Sequence, residues 1–279
     1  MKFAQNKLLF SIIILVLIVL LVIVYNKKIV ISNITYKNSK IPASFDGYKI
    51  LQISDLHNAE FGKNQKTLIE KTKEIDPDII FITGDLIDSY STNIDISVEY
   101  VKGIATIAPT YFIPGNHESR IESYKELCDK LTSTGVKILD NKTTIIEKDS
   151  SLIALIGVED PSFIKTQNQN EEFKNILTDL SKDINTDFKI LLSHRPERLS
   201  DYEDTNVDLV FSGHAHGGQF RIPFVGGLLA PNQGFLPKYT SGIYKKNNTS
   251  MIVSRGLGNS IFPFRINNSP ELVLVTLEK

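Results

Sequence analysis

The chain begins with a long apolar segment that contains almost no polar side chain. From Leu8 to Val24 the only polar residue is Ser11. At a rise of about 1.5 Å per residue, a helix of this length with its flanks is long enough to cross a bilayer. The segment ends in Tyr25-Asn26-Lys27-Lys28, without the small-residue cleavage site of a secreted protein. These features favour an uncleaved membrane anchor over a cleaved signal peptide.

The charges around this segment say little about its orientation. Lysines lie on both sides of it: Lys2 and Lys7 before, and Lys27, Lys28 and Lys37 after. This distribution is nearly balanced, so the positive-inside rule gives no firm direction. We expect a single-pass protein of the cell membrane with its main domain on the extracytoplasmic side. The predicted organisation is an anchor with its flanks over residues 1–28, a polar stem over 29–47 and a folded domain over 48–279.

From residue 48 onward, short runs rich in β-branched residues alternate with stretches of helical spacing. Strands are predicted near 48–54, 79–83, 111–113, 136–139, 143–148, 152–157, 188–193, 207–211, 250–254 and 271–277. Helices are predicted over 64–75, 93–106, 121–131 and 171–182. The alternation predicts a layered α/β domain. Consecutive strands between 136 and 157 indicate that part of the sheet is antiparallel or mixed.

Composition narrows the class of protein. The 279 residues, 42% of them hydrophobic, can bury the core of one large domain. The formal net charge of -1 provides no basic field, so no nucleic-acid partner is expected. The single cysteine, Cys128, cannot form an intramolecular disulfide, and we expect it to be a small core residue of a helix.

Five polar clusters follow predicted strands. They are Asp55-Leu56-His57, Gly84-Asp85, Gly115-Asn116-His117-Glu118, His194, and Gly213-His214-Ala215-His216. Ligands of α/β sheets bind outside the carboxyl ends of the strands, so these clusters converge if the strands are neighbours. Taken singly, the Asp-x-His and Gly-Asp clusters are more typical of a turn or a helix cap, and the cluster at Asn116 and His117 is ambiguous. The cluster at His214 and His216 is a stronger signal, because two histidines in a glycine turn have little structural use. The combination favours a site, because all five histidines of the chain fall within these clusters.

Imidazole and carboxylate groups in this arrangement indicate a metal site. Asp55 and His57 can turn toward one ion, and the two oxygens of Asp85 can bridge two ions. The absence of thiolates argues against a structural zinc site, and the donor set suits Zn, Fe or Mn better than Ca. Two neighbouring divalent ions would polarise a phosphate and generate a hydroxide nucleophile.

The five clusters, in this order, resemble the motifs of the calcineurin-like metallophosphoesterases: D-x-H, GD, GNHE, H and GHxH. With the flanking strands the resemblance covers about residues 45–279. Gly217-Gly218-Gln219 and the later Arg255-Gly256-Leu257-Gly258 resemble the membrane-anchored bacterial branch of YkuE-type and YaeI-type phosphoesterases. The resemblance implies a four-layer α/β/β/α sandwich and two divalent metal ions.

The resemblance also implies a role for each residue of the site. Asp55, His57 and His216 would hold the first metal, Asn116, His194 and His214 the second, and Asp85 would bridge them. His117 would be the catalytic acid that protonates the leaving group, with Glu118 orienting it. The chain departs from related branches after His194, where Arg195-Pro196-Glu197 follows. Arg195 is interpreted either as a substrate-phosphate contact or, slightly preferred, as a member of a surface salt bridge.

The expected function is therefore a dinuclear-metal-dependent phosphoester hydrolase, in which a metal-bridged hydroxide attacks phosphorus. The resemblance favours a phosphodiesterase or pyrophosphatase acting at or near the membrane on a phosphorylated small molecule or lipid. A phosphomonoesterase and a cyclic-nucleotide phosphodiesterase stay open, as does a non-catalytic metal-binding scaffold. Apolar residues between 220 and 236 are interpreted either as core packing, the preferred alternative, or as a lipid contact.

Overall fold

Two six-stranded sheets form the centre of the protein in a computed structural model that describes residues 2–182, 184–259 and 262–279. The strands in chain order are β1 Val30–Lys37, β2 Lys49–Ile53, β3 Ile79–Thr83, β4 Thr110–Ile113, β5 Lys137–Ile138, β6 Lys142–Lys148, β7 Ser151–Gly157, β8 Phe188–Leu192, β9 Leu209–Ser212, β10 Arg221–Ile222, β11 Gly226–Gly227, β12 Leu229–Ala230, β13 Gly234–Phe235, β14 Gly242–Lys246, β15 Thr249–Val253 and β16 Glu271–Glu278. The helices are α1 Lys2–Lys27, α2 Lys66–Ile75, α3 Ile94–Ile104, α4 Tyr124–Ser133, α5 Gln169–Ser181 and α6 Leu199–Glu203.

Both sheets are mixed. The first has the strand order β1-β16-β2-β3-β4-β5, with β2, β3 and β4 parallel to each other and β16 antiparallel to β2. The second has the order β14-β15-β9-β8-β7-β6, with β7, β8, β9 and β15 parallel and both edge strands antiparallel. The predicted mixture of parallel and antiparallel strands is confirmed.

Three apolar clusters define the layers. One lies between the first sheet and helices α2, α3 and α4, where Leu68, Val101 and Leu127 are buried. A second lies between the two sheets and includes Phe81 and Phe211, whose ring centroids are 5.3 Å apart. The third lies between the second sheet and helices α5 and α6. The order helix, sheet, sheet, helix follows from these contacts.

The segment predicted as a polar stem, residues 29–47, contains strand β1. This strand pairs in parallel with β16 over its whole length, from Val30 opposite Glu271 to Lys37 opposite Glu278. The sequence pattern did not reveal it because the strand has an exposed Ile31 among otherwise polar outward positions, and within the strand Tyr36 alone is fully buried. The first sheet therefore begins well before residue 48.

Most predicted elements are confirmed, with local shifts. The helix predicted over 121–131 begins later, at Tyr124, because residues 118–120 form a short 3-10 turn and Ile121 is extended. Strands β10 to β14 were not predicted, and the first four of them contain only two residues each. Cys128 lies in α4 but is only half-buried, so the expected core position is not reached.

The N-terminal helix α1 spans 26 residues, from Lys2 to Lys27. Among the residues that the structure describes, no helix is found with the length and apolarity needed to cross a membrane.

Candidate dinuclear metal centre

The carboxyl ends of five strands meet at one edge of the sandwich. In the first sheet these are β2, β3 and β4, and in the second β8 and β9. The buried side chain of Gln52 on β2 joins the two sheets, donating to Thr83 Oγ1 and to the carbonyl of Ser212, each at 2.9 Å. The convergence predicted from sequence follows from this packing.

Sharp turns at the strand ends direct the metal-binding side chains inward. Asp55, His57, Asp85, His214 and His216 all have left-handed backbones, with φ between 47° and 64°. This region costs about 1–2 kcal/mol for most L-residues, although Asp and His tolerate it better than most. Such strain persists where surrounding contacts hold it, and it is concentrated at functional sites.

Neighbouring glycines allow these turns to approach each other. A side chain at Gly115 would collide with the carboxylate of Asp85, and one at Gly213 would collide with that of Asp55. The glycines that precede Asn116 and His214 are therefore required by close packing around the two carboxylates.

The first cluster contains Asp55, His57, Asp85 and His216, whose ligand atoms lie within 4.8 Å of one another. The Nε2 atoms of His57 and His216 are 3.2 Å apart. His57 Nε2 is 3.5 Å from Asp85 Oδ2, and His216 Nε2 is 3.4 Å from Asp55 Oδ1. Burial lowers the pKa of His57 to about 3 and that of His216 well below its usual value. Both imidazoles are therefore neutral and can offer lone pairs.

The second cluster contains Asp85, His194 and His214, again within 4.8 Å. His194 Nδ1 faces the carbonyl of Thr83 at 2.7 Å and so carries a proton, and Nε2, 3.2 Å from Asp85 Oδ2, is the atom at which a metal would replace a second proton. His214 Nε2 lies 2.9 Å from Asn232 Oδ1, which leaves Nδ1 free to bind a metal. These contacts fix the tautomers that metal ligation requires. Asp85 belongs to both clusters, as a bridging ligand must.

Unpartnered polar atoms and the local charge balance fit two cations. Asn116 Oδ1 and His194 Nε2 are buried without a hydrogen-bond partner among the described residues. Burial raises the pKa of Asp55 to about 6. Burial also opposes a charge on His194, but Asp85 and Asp55 outweigh it and raise the pKa of His194 to about 10. The two carboxylates thus create a strong demand for positive charge, which divalent ions satisfy.

His117 lies at the edge of the two clusters. The backbone N–H of Ser89 donates to His117 Nδ1 at 3.0 Å, so the proton of the neutral imidazole is on Nε2. Burial lowers the pKa of His117. His57, Asp88 and His117 also lie within 4.8 Å of one another, but Ser89 already uses the Nδ1 lone pair. The arrangement fits a proton donor better than a metal ligand.

Glu118 has a different position from the one expected. Its carboxylate accepts hydrogen bonds from the backbone N–H groups of Asp85, Gly115 and Ile87, at 2.9, 2.7 and 3.2 Å. Burial, with the nearby Asp85, raises its pKa to about 8. Glu118 therefore holds together the loops of Asp85 and Asn116, while the His117 ring is held by Ser89.

Arg195 forms an internal ion pair. Its Nε and Nη2 atoms donate to the two oxygens of Asp160 at 2.7 and 2.9 Å, and Nη2 also donates to Ser162 Oγ. Asp160 is buried, so this is a buried pair and not the surface salt bridge of the preferred interpretation. With its planar fork occupied in this way, the guanidinium is not available to a phosphate.

Sequence reasoning missed several residues of the site. Asn232, Ser89 and Asp160 contact a site histidine or its neighbour, and Arg265 is fully buried with Nη2 3.4 Å from His216 Nδ1. None lies in a motif of recognisable chemistry, and only the fold brings them to the site.

A small cavity opens onto the clusters. It has a volume of about 110 Å³ and is lined by Asp85, Tyr90, Asn116, His117, Arg120, His214, His216, Pro231 and Asn232. Both proposed metal-binding clusters and the predicted acid therefore face the same space.

The chain belongs to the calcineurin-like phosphoesterases. The family profile described as "Calcineurin-like phosphoesterase" matches residues 48–218, which includes all five motifs. The chain is also 33% identical over 252 residues to the uncharacterized metallophosphoesterase YkuE of Bacillus subtilis (strain 168), covering 88% of this chain and 84% of that protein. It is thus a phosphoric ester hydrolase of a family that uses two divalent metals, and its Asp and His clusters are able to bind them.

Other similarities agree with this assignment. Phosphodiesterase YaeI of Escherichia coli (strain K12) is 27% identical over 235 residues, covering 82% of each chain. The crystal structure of phosphopantetheinyl hydrolase PptH from Mycobacterium tuberculosis superposes with a TM-score of 0.51 at 12% identity, covering 76% of this chain and 91% of that one. This structural similarity supports the fold alone.

Proposed function

We propose that the protein is a dinuclear-metal-dependent phosphodiesterase that acts at or near a membrane. The observation that carries the proposal is the position of Asp85 in both ligand clusters, next to a neutral His117 whose proton is on Nε2. The name of the relative YaeI, a phosphodiesterase, favours a diester over a monoester. Asp55, His57 and His216 would hold one ion, Asn116, His194 and His214 the other, with Asp85 shared.

The metal ions and the side chains around them would have separate roles in the hydrolysis. The bound ions supply Lewis acidity toward the phosphoryl oxygens and activate water. Ser89 holds the His117 ring with Nδ1 as the acceptor, so that the N–H of Nε2 donates a hydrogen bond to the leaving oxygen and stabilises its developing negative charge. Glu118 keeps the loops of Asp85 and Asn116 together through three backbone hydrogen bonds.

An assay of matched substrates tests this function. The purified full chain in detergent, supplied with Mn²⁺, should hydrolyse bis(p-nitrophenyl) phosphate faster than p-nitrophenyl phosphate and a cyclic nucleotide, and excess chelator should abolish turnover. Preference for the monoester or the cyclic nucleotide would reassign the substrate class. Metal binding without turnover on any of them would instead favour the non-catalytic scaffold.

We also propose that α1 anchors the protein in the cell membrane, with the catalytic domain on the extracytoplasmic side. Several of its large apolar side chains, among them Phe10, Leu17 and Leu20, are more than half exposed. Contact of these side chains with water is unfavourable in free energy, whereas contact with lipid acyl chains is favourable.

Exposed apolar side chains near the cavity support a substrate at the membrane surface. Phe235 and Leu236 are more than half exposed and follow Pro231 and Asn232 of the cavity lining in sequence. Phe224 and Val225, also more than half exposed, lie in the turn between β10 and β11. Core packing, the interpretation preferred from sequence, does not describe these four residues. An exposed apolar patch of this kind marks an interaction surface.

Membrane extraction tests the anchor. The full chain should stay in the pellet after alkaline carbonate treatment, and a variant with Leu17→Arg and Leu20→Arg should move to the supernatant. External protease added to intact spheroplasts should degrade the catalytic domain. Release of the unaltered chain by carbonate would contradict the anchor, and protection from protease would reverse its orientation.

A further inference from the structure

The cavity at the metal-binding clusters is lined by residues from separate parts of the chain, among them Tyr90, His117 and Arg120. Tyr90 is 73% exposed, and its ring centroid lies 5.8 Å from that of His117. Asp88 Oδ1 accepts from the backbone N–H of Tyr90 at 2.8 Å and so fixes the loop that carries this ring. The lining beside His117 therefore includes an aromatic ring and a cation.

Arg120 differs from the other arginines of the chain. Among the described residues no carboxylate lies within 4.0 Å of its guanidinium, and only its backbone N–H has a partner, the carbonyl of His117. The other arginines all have a side-chain hydrogen bond: Arg195 to Asp160, Arg198 to Asn170, Arg221 to Gly217, Arg255 to Glu271 and Arg265 to Arg255. Arg120 is exposed and is one of the residues that line the cavity.

The size of the cavity limits what lies beside the metals. Its volume of about 110 Å³ is small beside the roughly 300–1,000 Å³ of pockets that enclose a whole drug-sized ligand, so much of a substituted phosphodiester lies outside it. Since the N–H of His117 faces the leaving oxygen in the proposed mechanism, the group that lies along Tyr90 and Arg120, beside His117, is the leaving group.

We infer that Arg120, with Tyr90 beside it, binds a second phosphate carried by the leaving group. This inference rests on the proposed function and narrows its substrate to a substituted diphosphate. Hydrolysis forms one bond from water oxygen to phosphorus and breaks the bond from that phosphorus to the bridging oxygen. The bridging oxygen leaves with the second phosphorus, and the products are two phosphate monoesters. A guanidinium matches phosphate oxygens with two parallel hydrogen bonds, which an aliphatic or aromatic leaving group lacks.

A comparison of two substrates tests the role of Arg120. We would measure kcat/KM for diadenosine diphosphate and for bis(p-nitrophenyl) phosphate with the Mn²⁺-loaded full chain. In Arg120→Ala the ratio of the first value to the second should fall about 10-fold to 100-fold, as expected for a charged hydrogen bond. Arg120→Lys should lose less, because it keeps the charge. Lys125→Ala, which removes an exposed cation that does not line the cavity, should leave the ratio unaltered.

Binding provides a readout that does not depend on turnover. Calorimetry with α,β-methylene-ADP should give an affinity at least about 10-fold weaker for Arg120→Ala than for Lys125→Ala. An equal affinity, or an unaltered substrate ratio, would mean that Arg120 is simply a solvated side chain. Failure of the unaltered Mn²⁺-loaded chain to hydrolyse either substrate would sink the proposed function instead, and the binding comparison would still decide on Arg120.

Discussion

The two sheets contribute different chemistry to the same site. The first supplies both carboxylates, Asp55 and Asp85, together with His57, Asn116 and His117 at the ends of β2, β3 and β4. The second supplies only imidazoles, His194 after β8 and His214 and His216 after β9. Each ligand cluster draws on both sheets. The centre therefore exists only when the sheets are packed together, and neither sheet alone has a complete set of ligands.

The difference between the sheets also explains the charge of the site. The first sheet buries two acidic groups close together, and burial of carboxylates without compensation is costly. On the second sheet, His214 has a pKa lowered to about 3 by burial and so brings no charge. Of the three imidazoles that the second sheet supplies, His194 alone has a raised pKa. Bound divalent ions would neutralise the negative charge of Asp55 and Asp85 that the imidazoles leave uncompensated.

The largest expected effect comes from the carboxylate shared by both clusters. In the unaltered chain Asp85 Oδ1 accepts a hydrogen bond from the His117 backbone N–H at 2.8 Å. Asp85→Asn keeps an oxygen that can accept this bond, but it removes the negative charge that would bridge the two metal ions. Bound metal should fall from about two ions per chain to one or fewer, and turnover by more than about 10⁴-fold. Elemental analysis and the diester assay measure the two effects. Asp95→Asn, on the exposed surface of α3, is the control, and normal metal content in Asp85→Asn would refute the bridge.

The next prediction distinguishes the role of His117 from that of the metal ligands on the first sheet. His117→Ala should reduce turnover by about 10²–10⁴-fold, the usual contribution of a positioned proton donor, while metal content stays near two ions per chain. The physical reason is that His117 Nδ1 is occupied by Ser89 and the ring is not needed to hold a metal. Loss of both ions from this variant would show that His117 is a ligand and would overturn the assignment.

Much of the site could be predicted because its residues are adjacent to strands in sequence. The runs ILQIS, IIFIT and DLVFS are buried strands, and the polar residues that follow them have to lie at one edge. Local patterns of this kind, together with the position of all five histidines, predicted a metal site and most of the fold, whereas the division of the ligands into two clusters came from the family resemblance.

The parts that could not be predicted depend on contacts between distant segments. Strand β1 is a sheet strand only because it pairs with β16, some 240 residues later in the chain. Asn232 reaches His214 from the short β12–β13 hairpin, which has no periodicity to reveal it. The contacts of Glu118 also depend on distant segments, since it accepts hydrogen bonds from backbone groups of another loop.

A smaller effect is expected from Asn232, which contacts His214 from the β12–β13 hairpin. Asn232→Ala removes the acceptor of His214 Nε2 and should weaken the second metal by about 10-fold to 100-fold, as loss of a partner to a ligating histidine does. Metal titration should show one weakened and one unaltered step. Asn247→Ala, whose side chain bonds Glu203 far from the ligands in sequence and fold, is the matched control. Two equally weakened steps would contradict the separation of the clusters.

The smallest effect concerns Arg195, the residue for which sequence left two interpretations. Arg195→Lys keeps the charge but loses the two parallel hydrogen bonds to buried Asp160, so it should reduce stability by about 1–2 kcal/mol. At about 2–4 °C per kcal/mol, the melting temperature should fall by about 2–8 °C. The KM for the diester should change little, because the guanidinium is already occupied. A raised KM with an unaltered melting temperature would favour the other interpretation, in which Arg195 contacts the substrate phosphate. The second sheet would then supply a guanidinium to the site in addition to its imidazoles.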